Sequence, residues 1–448
     1  MYDVLASPLT APRTSAVAVV LLDGNDSLTL ISTLFQPISG EFHVRENGLF
    51  YGRWLSAPGG EPIDDALVLT RLADQSKTRR IQIEIHFHGS PLLVADALDA
   101  LAKQGARVTT YAGILERACR ERKLTRIELE AELALPNART EKQLGLLLQA
   151  AELKRMIERA ATSAFLLARD EQPKSGSPSP HPAETWRSIL LKCVSPLIQS
   201  YPLARRILKT WTLTLVGPPS AGKSTLMNAL SGSDASVEHP LPGTTRDIVS
   251  RVVALGDFAY HLNDCAGLMS QRNQSTLADA DRKAQELARA AIRQSDIILF
   301  IVDGSVSPTA EDYASAGELM NQMTEIDASS PAESRRPPIL GLIINKSDMA
   351  IADGISDWQS FFDLPDSSCI TMSALSPDAA RVVVNLLDVL QTSTGDDADI
   401  ALKPVIEPPV SLFTDRQYQR AKSLAELLGT DADILSVSEA VQALLYSE

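Results

Sequence analysis

One short segment constrains this chain more than any other: the run GPPSAGKS at residues 217–224. An apolar run typical of a buried strand, WTLTLV, precedes it, and TLMNALSG, which has the composition of a helix, follows it. A strand, a turn of the form G-x-x-x-x-G-K-[ST] and a helix, in that order, predict a P-loop. Backbone N–H groups in such a turn, together with the positive end of the helix dipole, bind a phosphate.

The residue types within this turn each have a chemical reason. Gly217 and Gly222 permit the backbone to approach the phosphates closely, and Lys223 can reach the β- and γ-phosphates. Ser224 can ligate Mg²⁺ through its hydroxyl group. The other residues of the segment that we expect to contact the nucleotide are Ser220, Ala221 and Thr225.

Two motifs that would complete the phosphate and metal site follow later in the chain. PGTTRD, at residues 242–247, offers Thr244 as a nucleotide contact, and Thr245 as a second Mg²⁺ ligand and catalytic group. YHLNDCAGL ends a strand with Asp264, placed to hold a metal-bound water, and Gly267, whose N–H could sense the γ-phosphate.

Two further motifs point to the base. NKSD, at residues 345–348, follows the apolar strand ILGLIIN, and SAL follows CITM. Here the chain resembles the translation-factor-related class of small GTPases. The resemblance implies that Asp348 accepts two hydrogen bonds from guanine, a contact that adenine cannot reproduce. It also implies that Asn345 and Lys346 brace and cover the base and that Ser373 and Ala374 contact its O6 edge. GTP is therefore expected in preference to ATP.

The charge balance limits the partners. With 42 Lys and Arg against 56 Asp and Glu, the net charge is −14, so any RNA contact needs a local basic patch. Candidates are Arg205 and Arg206 with Lys209, and the stretch from Arg117 to Arg126, although such runs are more often solvated helix faces. Four scattered cysteines indicate a reduced cytoplasm, and the apolar N-terminal run is too short to span a membrane.

The pattern along the chain predicts a multidomain protein, because 448 residues exceed the size of one core. Residues 79–89 alternate as a half-buried strand, and Pro91 suits the first position of a helix after it. The predicted domains are an α+β domain at 1–115, a helical domain at 116–205 with a linker at about 170–184, an α/β domain with a mainly parallel sheet at 206–392, and a linker with a helical return at 393–448. Within the helical part, the clearest helical spacing runs from 141 to 168.

The order of these domains, with GTTRD, HGSP at 88–91 and ERACRERKL at 116–124, resembles the TrmE/MnmE family of tRNA-modification GTPases. That resemblance implies a tetrahydrofolate-binding-like N-terminal domain, and a helical domain interrupted by the P-loop G domain. It further implies a homodimer formed through the N-terminal domain, GTP and Mg²⁺ as cofactors with potassium and tetrahydrofolate as further ones, and tRNA and a flavin-dependent enzyme as partners.

Three positions depart from the family pattern. Family members end in C-I-G-K, whereas this sequence ends QALLYSE and has no cysteine after Cys369. The family's P-G-R-G-G turn is PRTSA here, and Ser220 replaces the Asn that coordinates potassium. These differences leave tRNA modification, folate binding and potassium binding open.

Hydrolysis also needs a group that orients the attacking water. The family uses a Glu after the third motif, and counting back from the next strand aligns it with Asp281, whereas counting forward from Asp264 reaches Thr276. We favour Asp281, with Asp279 as the fallback, although an Asp at a helix start also interacts favourably with the helix dipole.

The sequence is therefore consistent with three functions. They are GTP hydrolysis coupled to modification of the tRNA wobble uridine, a GTP-controlled binding switch for RNA, ribosome or protein without modification chemistry, and a scaffold that binds GTP without hydrolysing it.

Overall fold

The computed structural model describes residues 3–38, 48–73, 76, 78–170, 186–232, 249–264, 289–329, 338–392, 411–430 and 432–446. The chain forms two compact units, each built from separate stretches. The first unit comprises Met1–Pro136, Ala150–Ser195 and Thr414–Glu448, and the second comprises Asn137–Gln149 and Pro196–Phe413.

Seven described strands build the sheet of the first unit. They are β1 (Leu5–Pro8), β2 (Val17–Asp23), β3 (Phe35–Pro37), β4 (Gly48–Leu55), β5 (Pro62–Arg71), β6 (Gln82–His88) and β7 (Arg107–Val108). Their order is β3-β4-β5-β6-β2-β1-β7, with all neighbours antiparallel except the parallel pair β1 and β7. The predicted α+β architecture of the N-terminal region is confirmed.

One face of this sheet packs against two helices, α1 (Ser27–Ile31) and α2 (Pro91–Lys103). The predicted alternation holds from Ile83 to His88, because Ile83, Ile85 and Phe87 are buried on that face whereas His88 on the other is exposed. It does not hold before Ile83, since the polar Arg80 and Gln82 are also buried. Burial of this apolar face is the main source of stability for the sheet.

The described part of the first unit also contains helices that follow the sheet in the chain. These helices are α3 (Tyr111–Arg120), α4 (Arg126–Ala134), α6 (Ala150–Asp170), α12 (Asp415–Leu428) and α13 (Ile434–Tyr446). The start of α4 carries a capping box, in which Thr125 and Glu128 satisfy each other's backbone N–H groups. A further helix, α7 (Trp186–Leu208), contributes its first part to this unit and its second part to the other.

The helical pattern at 141–168 corresponds to two helices rather than one. The first, α5 (Glu141–Leu148), belongs to the second unit, and α6 belongs to the first. Periodicity of apolar residues continues across the break at Gln149 and therefore does not reveal it.

Strands of the second unit form a six-stranded sheet. They are β8 (Thr210–Val216), β9 (Val249–Leu255), β10 (Phe258–Asp264), β11 (Ile297–Asp303), β12 (Ile339–Asn345) and β13 (Cys369–Thr371). The order is β13-β12-β11-β8-β10-β9, and only the edge strand β9 is antiparallel to its neighbour. The predicted α/β fold with a mainly parallel sheet is confirmed.

Helices connect these strands, as crossovers between parallel strands require. They are α8 (Lys223–Ser231), a helical stretch at 289–294, α9 (Ala310–Ser329), α10 (Asp357–Phe362) and α11 (Ala379–Thr392). An aromatic cluster of Phe300, Trp358 and Phe362 fills the space between β11 and α10.

Helix α5 is fixed to the second unit by polar contacts that are distant in sequence. Lys142 forms an ion pair with Asp257 in the turn between β9 and β10, and the Thr140 hydroxyl donates to the backbone oxygen of Asp257 at 3.2 Å. The Gln143 amide donates to the carbonyl of Ile207 at 2.9 Å. Among the described helices of the whole chain, none is long and apolar enough to cross a membrane.

Candidate nucleotide-binding site

The turn after β8 has the backbone of a phosphate loop. Gly217 has a φ of 153°, and a Cβ atom there would lie 2.0 Å from the carbonyl oxygen of Ile301. Gly222 has a φ of 94°, and a Cβ atom there would lie 2.2 Å from the amide nitrogen of Asn345. Both positions therefore require glycine. Ser220 also has a left-handed φ of 64°, an uncommon value for a residue with a side chain.

Lys223 lies at the start of α8 with only 8% of its surface exposed. Its ammonium group donates to the carbonyl oxygens of Gly217, at 2.9 Å, and Pro218, at 2.8 Å. The positive charge is thus held against the turn, at the helix end that already favours anions.

Ser224 and Asp264, two residues predicted to bind the metal, lie in contact with each other. Asp264 is the last residue of β10, which pairs with β8, so its carboxylate lies beside the first turn of α8. The Ser224 hydroxyl donates to one carboxylate oxygen of Asp264 at 2.7 Å. The other oxygen, Oδ1, is buried and accepts no hydrogen bond from the described part of the chain.

This arrangement fits Mg²⁺. The ion prefers oxygen ligands and keeps several of its waters, and a hydroxyl beside a carboxylate supplies oxygens of the right kind. A buried carboxylate oxygen without a partner is costly, and a metal-bound water would relieve that cost.

Asn345 joins the phosphate loop to the segment after β13 that is predicted to contact the base. Its amide nitrogen donates to the carbonyl of Ala221 at 2.8 Å, and its amide oxygen accepts from the N–H of Ala374 at 2.8 Å. The side chain is 2% exposed, so both bonds are shielded from water. One buried amide therefore holds together three segments that the sequence predicts to form a single site.

The residues predicted to contact the base lie at the carboxyl ends of β12 and β13. Asp348 is exposed in the turn after β12, where the N–H of Met349 donates to the carbonyl of Lys346 at 3.0 Å. Ser373 follows β13, and its hydroxyl oxygen accepts from the N–H of Leu375 at 3.3 Å. The structure thus brings the phosphate loop, the Asp348 turn and the Ser373 segment to one edge of the sheet.

Sequence reasoning missed one charged residue of this edge. Asp303 ends β11, and its carboxylate accepts from the ammonium group of Lys346 at 2.5 Å. Burial raises the pKa of Asp303, but hydrogen bonds from Lys346 and Ser305 outweigh it and lower the pKa below its ordinary value. The sequence feature that could have indicated Asp303 is its position at the end of the apolar strand IILFIVD.

Several predicted residues lie outside the described part of the chain. These are Thr244, Thr245 and Gly267 of the nucleotide and metal site, and the candidates for water orientation, Asp281, Asp279 and Thr276.

Several basic residues of the candidate RNA-binding patches pair with acidic side chains. Arg117 is buried and paired with Asp23, and Lys123 is paired with Glu121 at 2.9 Å. Lys209 is paired with Asp296 at 2.5 Å. The structure therefore favours the interpretation of these runs as structural helix faces.

Comparison with known proteins agrees with the separation of an N-terminal α+β region from a later α/β region. The family model described as "GTP-binding protein TrmE N-terminus" matches residues 4–122, and that described as "50S ribosome-binding GTPase" matches residues 212–346. Curated relatives described as "tRNA modification GTPase MnmE" match most of the chain. That of Phenylobacterium zucineum is 30% identical over 328 residues, covering 71% of each chain. That of Synechococcus sp. is 29% identical over 367 residues, covering 79% of this chain and 75% of the relative.

A mainly parallel sheet with a phosphate loop, a Ser224 hydroxyl bonded to Asp264 and an NKSD turn, together with the match to the GTPase family model, defines a P-loop GTPase, a protein that binds GTP with Mg²⁺ and hydrolyses it. The TrmE-type N-terminal region, and relatives that match most of the chain, identify the family within this class. The chain belongs to the MnmE family of tRNA modification GTPases.

Proposed function

We propose that this GTPase acts in the modification of the tRNA wobble uridine, and that its GTPase cycle controls that reaction. The observation that supports this most is the pairing in one chain of a TrmE-type N-terminal region with a G domain whose buried Asn345 joins the phosphate and base ends of the site. The proposal adds a substrate to a GTPase activity that the family already establishes.

In the proposed mechanism the chain binds and orients GTP rather than reacting with it covalently. Lys223 neutralises the β- and γ-phosphates after exchanging its carbonyl contacts for phosphate oxygens, and the N–H groups at the start of α8 add further donors. Ser224 and Thr245 would ligate Mg²⁺, and Asp264 would hold one of its waters. Mg²⁺ would supply charge stabilisation at the β- and γ-phosphates.

Orientation of the attacking water is assigned to Asp281, with Asp279 as the fallback. Asp281→Asn is expected to lower the single-turnover rate of GTP hydrolysis by about 10²- to 10⁴-fold, because it removes a general base but no nucleotide contact. Asp279→Asn is the matched control. A normal rate in Asp281→Asn with a slow rate in Asp279→Asn would move the role to Asp279.

The proposed guanine contact is tested by Asp348→Asn. An amide cannot accept from both N1–H and the 2-amino group, so GDP affinity is expected to fall by at least about tenfold, and xanthosine diphosphate is expected to bind better than it does to the unaltered protein. Asp353→Asn, which changes another exposed Asp just beyond this turn, is the control. If both variants bound GDP with the affinity of the unaltered protein, the assignment of Asp348 would be wrong.

A homodimer formed through the N-terminal region is part of the proposal. The sheet face opposite α1 and α2 exposes apolar side chains on paired strands: Leu49 is 66% exposed, Tyr51 51% and Leu67 42%, with Tyr51 and Leu67 directly opposite each other. Contiguous exposed apolar side chains favour an interface. Leu67→Glu is expected to convert the dimer to a monomer in sedimentation equilibrium, and Leu92→Glu on α2 is the control.

Tetrahydrofolate, potassium and a flavin-dependent partner enzyme remain predictions from family resemblance. Potassium is tested by comparing GTP hydrolysis in potassium and sodium chloride, since Ser220 offers one hydroxyl oxygen where the family has Asn. We place the protein in the cytoplasm, where the free thiols of Cys119, Cys193 and Cys369 would remain reduced.

The substrate is tested by mass spectrometry of tRNA nucleosides from a strain lacking the gene. Loss of the modified wobble uridine, restored by the gene but not by its Asp348→Asn variant, is the expected result. An unchanged nucleoside profile would reject tRNA modification and favour a GTP-controlled binding switch.

A further inference from the structure

The two carboxylate oxygens of Asp303 accept hydrogen bonds from two different segments of the chain. Oδ2 accepts from the ammonium group of Lys346 at 2.5 Å, and Oδ1 accepts from the N–H of Ser305 at 2.9 Å and from its hydroxyl at 2.6 Å. Asp303 lies opposite Asn345 in the pairing of β11 with β12, next to the residue whose side chain it holds. Ser305 thus fixes the carboxylate, and the carboxylate fixes the lysine.

Lys346 needs such a support for two reasons. Its φ of 63° is left-handed, a conformation that non-glycine residues adopt at a cost and keep only where neighbouring contacts impose it. Its long side chain is 32% exposed and would otherwise sample many rotamers. An ion pair formed before the ligand arrives reduces the ordering that binding requires.

We propose that Asp303, held by Ser305, is a positioning residue that fixes Lys346 where its side chain covers the guanine ring. This inference rests on the proposed function, because it takes the base to bind at the Asp348 turn. Asp303 itself contacts no base in this arrangement. It acts through Lys346 and therefore affects how long a guanine nucleotide stays bound.

The acidity of Asp303 supports this role. Burial raises its pKa, but hydrogen bonds from Lys346 and Ser305 outweigh this effect and lower it, so the carboxylate is ionised at physiological pH and can pair with Lys346 before nucleotide binds. A competing explanation is that Asp303 only joins β11 to the following turn, in which case its loss would destabilise the unit without acting through Lys346.

Dissociation of a fluorescent GDP analogue from the full-length protein, chased with excess GDP in a stopped-flow instrument, tests the proposal. Asp303→Asn is expected to accelerate release by at least about tenfold, because it removes the charge of the group that holds the Lys346 ammonium in place. Ser305→Ala, which removes one support of the carboxylate, is expected to accelerate it about two- to fivefold. Asp303→Glu is expected to restore part of the slow release.

A double-mutant cycle separates positioning from mere structural support. If Asp303 acts through Lys346, Asp303→Asn has no further effect on release once Lys346→Gln is present. Equal acceleration by Asp303→Asn with and without Lys346→Gln would overturn the proposal.

Asp296→Asn is a matched control, because Asp296 immediately precedes β11, at the strand end opposite Asp303, and also pairs with a lysine, Lys209, at 2.5 Å. It is expected to leave the release rate unchanged. If the unaltered protein failed to bind the GDP analogue, the proposed function itself would fail. If it bound normally and Asp303→Asn behaved like Asp296→Asn, only the positioning role of Asp303 would be refuted.

Discussion

Replacing Asn345 with alanine removes the side chain that joins the phosphate loop to the Ala374 segment. Two buried backbone groups lose their partner: the carbonyl of Ala221, whose residue is fully buried, and the N–H of Ala374, whose residue is 5% exposed. An unsatisfied buried polar group costs about 1 to 3 kcal/mol, so the two together cost about 2 to 6 kcal/mol. Since a folded domain is stable by about 5 to 15 kcal/mol, Asn345→Ala is expected to lower the melting temperature clearly.

Hydrogen exchange measured by mass spectrometry locates the effect. The peptide that contains Ala374 is expected to exchange about 5- to 150-fold faster in Asn345→Ala, the range that corresponds to about 1 to 3 kcal/mol. Asn228→Ala is the control, because Asn228 is exposed on α8 and its hydrogen bond from Arg251 is long, at 3.3 Å. Unchanged exchange at Ala374 and a melting temperature equal to that of the control would refute the reasoning.

Two other perturbations give distinct readouts. Gly222→Ala is expected to weaken binding of a fluorescent GTP analogue and to lower stability, because its methyl group would lie 2.2 Å from the Asn345 amide at a φ of 94°. Gly317→Ala is the control, because a methyl group there would meet no atom within 4 Å. Normal affinity of Gly222→Ala would show that the loop can adjust. The Asp64 carboxylate accepts a hydrogen bond from the His88 ring and raises the pKa of His88 above its ordinary value, so NMR titration should show a raised pKa that Asp64→Asn returns to normal. The pair's contribution to folding is complete below pH 6.5 and is lost as the pH rises through the raised pKa, and an identical titration in both proteins would contradict this.

The predictability of the site depends on how local each signal is. The phosphate loop was predictable because a strand, a turn and a helix start within one short segment, and its glycine requirement follows from backbone geometry. The partners of Asn345 were not, because they lie 124 and 29 residues away in sequence. Asp303 was missed for the same reason, since its pairing with Lys346 spans 43 residues.

In the fold, too, features set by local patterns were predictable and features set by distant contacts were not. Alternation over 79–89 predicted β6, and apolar runs predicted the parallel strands, because burial imposes those patterns directly. The break at Gln149 was not predictable, since α5 and α6 carry a continuous helical periodicity although they pack in different units. Arg117 looked like part of a basic surface, and only tertiary structure shows that it pairs with Asp23, 94 residues away.

The attachment of α5 to the turn between β9 and β10 has a consequence for synthesis. Lys142 leaves the ribosome 115 residues before Asp257, and at about 5 to 20 residues per second the helix waits about 6 to 23 s for that partner. Gln143 can bind its partner earlier, because the carbonyl of Ile207, which accepts its hydrogen bond, lies only 64 residues later in the sequence. A fragment that begins at residue 206 contains the described strands of the second unit but lacks α5, so the contacts of α5 with Ile207 and Asp257 cannot form in it.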